Sequence, residues 1–225
     1  MALPAWRRRS TGEPLWTLRL SLVIAILLQV ALPEDFAPRP RWLLLALEVL
    51  LLAVLTVVHI RVLDGRIDRY SKPVRVSTVA LIVVVTLANT VSAGRLVLGL
   101  INGTLVQDAG ELLVTGGAIW ATNVIVFALW YWELDRGGPG RRAEGTGLMP
   151  PDFAFPQMTA PELTPDDWHP RFTDYLYLSF TNAAAFSPTD VMPFSRWSKM
   201  AMMAQSAVSL ATVALVVARA VNILK

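Results

Sequence analysis

Four polar residues stand inside long apolar runs of the sequence: Glu48, Asn89, Arg95 and Asn123. An ionisable side chain near the centre of a bilayer costs about 2.5–3.5 kcal/mol on insertion scales, so each needs a partner or a task. Glu48 lies near the start of one run and Arg95 near the end of the next. In adjacent antiparallel helices both would sit about 9 Å below the same surface, at a rise of about 1.5 Å per residue. That match in depth predicts an interhelical ion pair that locks the hairpin; a role in transport is the alternative. Asn89 and Asn123 match in depth on the following pair of runs. They predict an amide–amide hydrogen bond between helices, worth about 0.6–2 kcal/mol, or else a polar substrate site.

Other chemistries are poorly supplied. There is no cysteine, and His59 and His169 are the only imidazoles, which excludes disulfides, thiolate centres and His-rich metal sites. The stretch "PPDFAFPQMTAPELTPDDWHPRF" gathers Asp152, Glu162, Asp166, Asp167 and His169, with Asp174 just beyond. Those acids lack EF-hand spacing and the glycine that such a loop turns on, so the stretch reads as an ordered lid and not as a metal site. No nucleophile–base pair, phosphate loop or cofactor motif is present. The expectation is a protein with no catalytic residues and no cofactor.

The elements that must position these residues are set by hydropathy. Of the 225 residues, 54% are hydrophobic and 16% charged, against about 45–50% and about 25% in soluble domains. Several apolar runs reach the roughly 20 residues that cross a bilayer core. The predicted fold is all-α: a polytopic transmembrane helical bundle of about five spans, with one short segment before the last span that is either re-entrant or interfacial. An N-terminal tail, 1–15, precedes helices within 16–110. The remainder divides into a helix at 111–132, a polar loop at 133–172, a short aromatic helix at 173–186 and a last span at 196–223. Prolines fall between the runs. The first run ends in "QVALPEDF" with no small-x-small cleavage site, so it reads as an uncleaved span.

The net charge of +3 comes from arginines clustered in loops. That pattern bears on topology and lipid, and no nucleic-acid partner is expected. Arg7–Arg9, the Arg61–Arg75 region and Arg136–Arg142 alternate with loops poor in Lys and Arg. This obeys the positive-inside rule with a cytoplasmic N-terminus. Trp16, Trp42, Trp130, Tyr131, Trp132 and Trp197 fall where interfacial belts are expected. Asn102-Gly103-Thr104 has the form of a glycosylation sequon but reads as a short turn.

One stretch carries a more specific pattern. "YLSFTNAAAFSPTDVMP" places Ser179-Phe180-Thr181 at the end of an aromatic helix, Asp190 after the turn and Pro193 at the exit. "RWSKMAMMAQSAVSLATVALVVARAVNIL" follows it. From about Trp120 to Leu224 the chain resembles the pore module of bacterial two-transmembrane tetrameric potassium channels: outer helix, turret, pore helix and inner helix. It also resembles the DUF1345 group of bacterial membrane proteins, which end in a similar short aromatic helix and final span. The channel resemblance implies a homo-oligomer, by analogy a tetramer, in the bacterial inner (plasma) membrane, with monovalent cations as partners. It makes Thr181, Asn182, Ala185, Phe186, Ser187, Pro188, Thr189 and Asp190 the filter-equivalent positions, and Ser209 the inner-helix hinge equivalent.

The departure from that pattern has a physical meaning. Potassium filters present successive backbone carbonyls to a dehydrated ion, which requires glycines at positive φ. Ala185-Phe186-Ser187-Pro188-Thr189 contains none, and Pro188 fixes its own φ near about −65°. The expectation is a channel-like protein without a potassium-selective filter, non-selective or non-conducting. The alternative is a structural or interaction protein whose hairpin only packs. Ser187-Pro188-Thr189-Asp190 is also a good helix-start signal, which would make the stretch a plain helix–turn–helix. The arginine pattern places the hairpin on the cytoplasmic side, whereas the channel resemblance places it outside.

Overall fold

A computed structural model of the chain describes residues 3–10, 12–13, 16–63, 72–103, 108–145, 149–184 and 190–223. Among the described residues eight α-helices follow in order: α1 Trp16–Ala31, α2 Arg41–Leu63, α3 Lys72–Ile101, α4 Ala109–Leu134, α5 Pro139–Glu144, α6 Pro156–Thr159, α7 Phe172–Ala184 and α8 Arg196–Ile223. The one sheet among the described residues pairs β1, Phe153–Ala154, antiparallel with β2, Met192–Pro193.

The helix limits have local causes. Pro73 stands at the second residue of α3, where its missing N–H costs nothing. Gly103 turns at φ +65° just past the end of α3, a conformation that glycine adopts without a Cβ penalty. The Asp108 carboxylate caps α4 by accepting from the Glu111 backbone N–H at 2.8 Å. α8 is capped by Ser195, whose Oγ accepts from the Ser198 N–H at 3.3 Å.

This is an all-α, multi-pass membrane bundle. Among the described residues three helices are long and apolar enough to cross a membrane: α3, α4 with the turn that follows it to Gly137, and α8. α1 is a shorter apolar helix of 16 residues, and α2 runs for 23. The outward surface is apolar, with Trp42, Val76, Leu87, Val114, Met200 and Met203 all exposed, as contact with lipid requires. α1 and α3 both pack on α4.

Two apolar clusters fill the interior. One holds Leu18, Leu22 and Ala25 of α1, Val74 to Val85 of α3 and Val126 to Trp132 of α4. The other holds Leu32, Phe36, Ala93 and Leu96 with Leu112 and Ile119 of α4 and Val216 and Ala220 of α8. Gly116 lets α4 and α8 approach closely: a Cβ there would stand 2.7 Å from a Val216 methyl. Gly117 beside it faces open space. Between the two clusters lies a layer of buried polar side chains, among them Gln29, Glu48, Asn89, Ser92, Asn123, Gln205 and Ser209.

The loop after α4 is a docked cap, unlike a free turret. Phe153 and Phe155 are buried, and their rings meet Tyr131, Tyr175, Trp197 and Trp168. This corrects part of the expected aromatic belt. Trp16 and Trp42 are exposed, but Tyr131 and Trp132 are core residues. Each has a polar handle satisfied inside: Trp132 Nε1 donates to Glu13 at 2.8 Å and Tyr131 Oη to Gln205 Oε1 at 2.7 Å.

Candidate functional site

α7 enters the bundle beside the ends of α4 and α8 and stops halfway along both. Near its start the Phe172 ring meets Trp132, close to the C-terminal end of α4. Near its finish the Phe180 ring meets Trp120, and the Ala183 carbonyl accepts from Ser209 Oγ at 2.6 Å. Residues 120 and 209 are near the middles of their helices. Asp190, where the chain is next described, lines a cleft with Asp174 and Tyr177 of the first half of α7. α7 therefore ends inside the bundle, and residues 190–195 are not helical, so they do not continue a helix begun at Ser187.

A helix that ends inside a bundle leaves carbonyls that water cannot reach. α8 supplies the donors. Gln205 Nε2 donates to the Ser179 carbonyl at 3.0 Å and to its Oγ at 2.6 Å. Ser206 Oγ donates to the Asn182 carbonyl at 3.2 Å. Gln205 Oε1 accepts from Asn182 Nδ2 at 2.8 Å as well as from Tyr131 Oη. The Gln205 backbone carbonyl accepts from Asn123 Nδ2 at 3.4 Å. One buried glutamine thus joins α4, α7 and α8. Sequence reasoning missed it, although a lone Gln in "AMMAQSAVSL" was the available signal.

The predicted site residues divide accordingly. Asn182 turns inward onto α8. Thr181 Oγ1 donates to Tyr177 and Leu178 carbonyls of its own helix. Ser209 accepts from Trp120 Nε1 at 2.7 Å while donating to Ala183. α8 runs unbroken through it, so Ser209 is a fastener in this fold and no hinge bend occurs there. Asp190 is exposed at the mouth of the hairpin. Ala185, Phe186, Ser187, Pro188 and Thr189 lie outside the described residues.

Both predicted intramembrane pairs are corrected. Arg95 donates to the Ala37 carbonyl in the turn between α1 and α2, and Glu48 forms no ion pair among the described residues. Glu48 is wholly buried, beside Gln29 of α1. Asn123 bonds to α8, and Asn89 Oδ1 is left without a partner. Depth matched in each case, but the side chains point around their helices to different neighbours.

The mouth of the hairpin is closed by a polar clasp. The buried Asp135 carboxylate accepts from Tyr175 Oη at 2.6 Å, from Arg136 Nε at 3.1 Å and from the Asp152 N–H at 3.1 Å. Asp152 in turn accepts from the Arg136 N–H at 2.7 Å and from Trp197 Nε1 at 2.8 Å. These bonds hold Arg136 at φ +51°, a strained conformation for a residue with a Cβ. Glu13 caps α7 from the N-terminal tail, accepting from the Phe172 N–H at 2.8 Å. Burial pushes the Glu13 carboxyl above its ordinary value, partly offset by that bond and the one from Trp132. Arg75 and Glu133 pair at 3.0 Å at the same end. Beside the clasp, a cleft of about 420 Å³ is lined by Arg9, Arg136, Arg142, Arg171, His169, Glu13 and Asp167, among others. Among the described residues no group of acids, histidines or cysteines is arranged to hold a metal ion. Comparison with protein-family models, with curated proteins and with solved structures finds no significant match.

Proposed function

We propose that the chain is a five-span, channel-like protein of the bacterial inner membrane with a cytoplasmic N-terminus, and that it passes monovalent cations without selecting potassium. The observation that carries this reading is the end of α7 at the middle of α4 and α8. A re-entrant half-helix brings backbone and polar side chains to a depth that neither a surface helix nor a full span would give them. The glycine-free run Ala185–Thr189 is the reason for expecting no potassium filter. Within one protomer the inner face of α7 is sealed against α8. A conduit therefore belongs on the open face, where Tyr177 and Phe180 are exposed, around an axis shared by several copies.

A second reading rests on the satisfied bonds of Gln205, Ser206 and Ser209: the hairpin is a structural wedge and conducts nothing. Flux from proteoliposomes loaded with potassium or sodium, together with the mass of the purified particle, separates the two. The channel reading expects an oligomer and a potassium-to-sodium ratio near one, with flux reduced by Asp190→Asn. A tenfold preference for potassium would overturn the filter argument. A monomer without flux would establish the wedge.

A further inference from the structure

We propose that Glu48 and Gln29, with Ser92 and Asn89 in the same layer, form a buried site for one sodium-sized monovalent cation among α1, α2 and α3. Glu48 and Ser92 are fully buried and Gln29 and Asn89 are each 4% exposed. Yet Asn89 Oδ1 and Ser92 Oγ make no hydrogen bond, and Glu48 and Gln29 have no partner beyond each other. Buried polar groups are almost always satisfied, and each exception asks for an ion, a water or a task. These exceptions gather in one layer of one half of the bundle; the others, on Arg7, Arg19, Arg136, Gln157 and His169, lie outside it.

The placement follows from the connecting turn. Arg41 donates to the Val30 carbonyl and Arg95 to the Ala37 carbonyl. These two bonds bring the end of α1, the start of α2 and the last turns of α3 to one level. Below it Glu48 lies seven residues along α2, and Ser92 and Asn89 lie three and six along α3, within about 10 Å. Helical side chains lean toward their own N-termini. Gln29 therefore leans into the bundle and Glu48 leans back toward it, and the two meet. Arg41 and Arg95 are each committed to a carbonyl, and among the described residues no cation pairs with Glu48.

The chemistry of the set selects the ligand. Carboxylate, amide and hydroxyl oxygens are hard donors that suit hard cations. One carboxylate neutralises one charge; a divalent ion would leave a net charge in a medium where that is expensive. The site is independent of the hairpin and of whether the hairpin conducts.

The experiment uses the full-length protein in detergent, in sodium, potassium and choline chloride at equal ionic strength. A ligand bound only by the folded state raises Tm with its concentration. At a hundredfold excess over Kd, sodium should raise Tm above the choline value by about 5 °C. Glu48→Gln should abolish the rise, and Gln29→Ala or Ser92→Ala should shift its midpoint about tenfold to higher sodium. Those two variants keep the carboxylate and carry the test if Glu48→Gln does not fold. An equal Tm in sodium and choline overturns the proposal. So does a sodium response unchanged in all three variants, or stabilisation by acid with none by sodium, which would assign Glu48 to a proton.

Discussion

The polar layer has two halves built on opposite terms. On the α4–α7–α8 side every polar group of Gln205 is used, Ser179 and Asn182 close onto it, and Ser209 holds the Ala183 carbonyl. On the α1–α2–α3 side Gln29, Glu48, Asn89 and Ser92 are equally buried and carry unused oxygens. Both halves sit at similar depth between the same apolar clusters, so the medium is not the difference. The first half contains a helix end, whose free carbonyls are acceptors already fixed in place. The second is three continuous helices whose backbone groups are internally spent, so its side chains have only each other. The satisfied half therefore reads as a fastener, and the unsatisfied half reads as a place for something to bind.

Substitutions should give the two halves opposite signs. The largest effect is expected for Gln205→Leu, which strands Tyr131 Oη and takes one bond each from Asn182 Nδ2 and Ser179 Oγ, which keep the Met202 and Val124 carbonyls. At about 1 kcal/mol for each of these three lost bonds, unfolding in detergent should show a loss of about 3 kcal/mol. A change below about 1 kcal/mol would mean that the network is replaceable. Glu48→Leu, assayed in choline, should instead raise stability by about 1 kcal/mol, because an unpaired buried carboxylate opposes folding. A strong loss there would indicate a partner supplied from outside the chain and erase the contrast.

The smallest effect concerns the clasp. Burial holds the Glu13 carboxyl above its ordinary value of 4.5, so the folded state binds the proton more tightly than the unfolded one. Its contribution to stability is present at low pH and is lost as pH rises from about 4.5 through the raised folded value. The pH dependence of Tm across that window should flatten in Glu13→Gln. An identical slope in the variant would remove Glu13 from the balance.

Much of this architecture was legible in the chain. Apolar runs and prolines placed the helices close to their observed limits: the expected 173–186 helix is α7, Phe172–Ala184, and the expected span 196–223 is α8. Both possibilities for "YLSFTNAAAFSPTDVMP" were open in the sequence, and the end of α7 inside the bundle was decided by packing. The misjudged features were azimuthal. Tyr131 and Trp132 have the composition of an interfacial belt, but they face α8 and the N-terminal tail. Gln29 and Gln205 are each one polar letter in an apolar run, and nothing local says whether a partner waits opposite.

By itself the sequence determined depth: where each helix begins, how far along it a polar group lies, and which turns lack the glycines that an ion filter needs. These follow from rise per residue, hydropathy and backbone sterics, which are local. Only the tertiary structure decided direction. Whether Arg95 finds a carboxylate or a carbonyl, and whether a buried amide is satisfied or left open, depends on which helix stands at a given angle around the axis. That angle is fixed by the packing of the whole bundle.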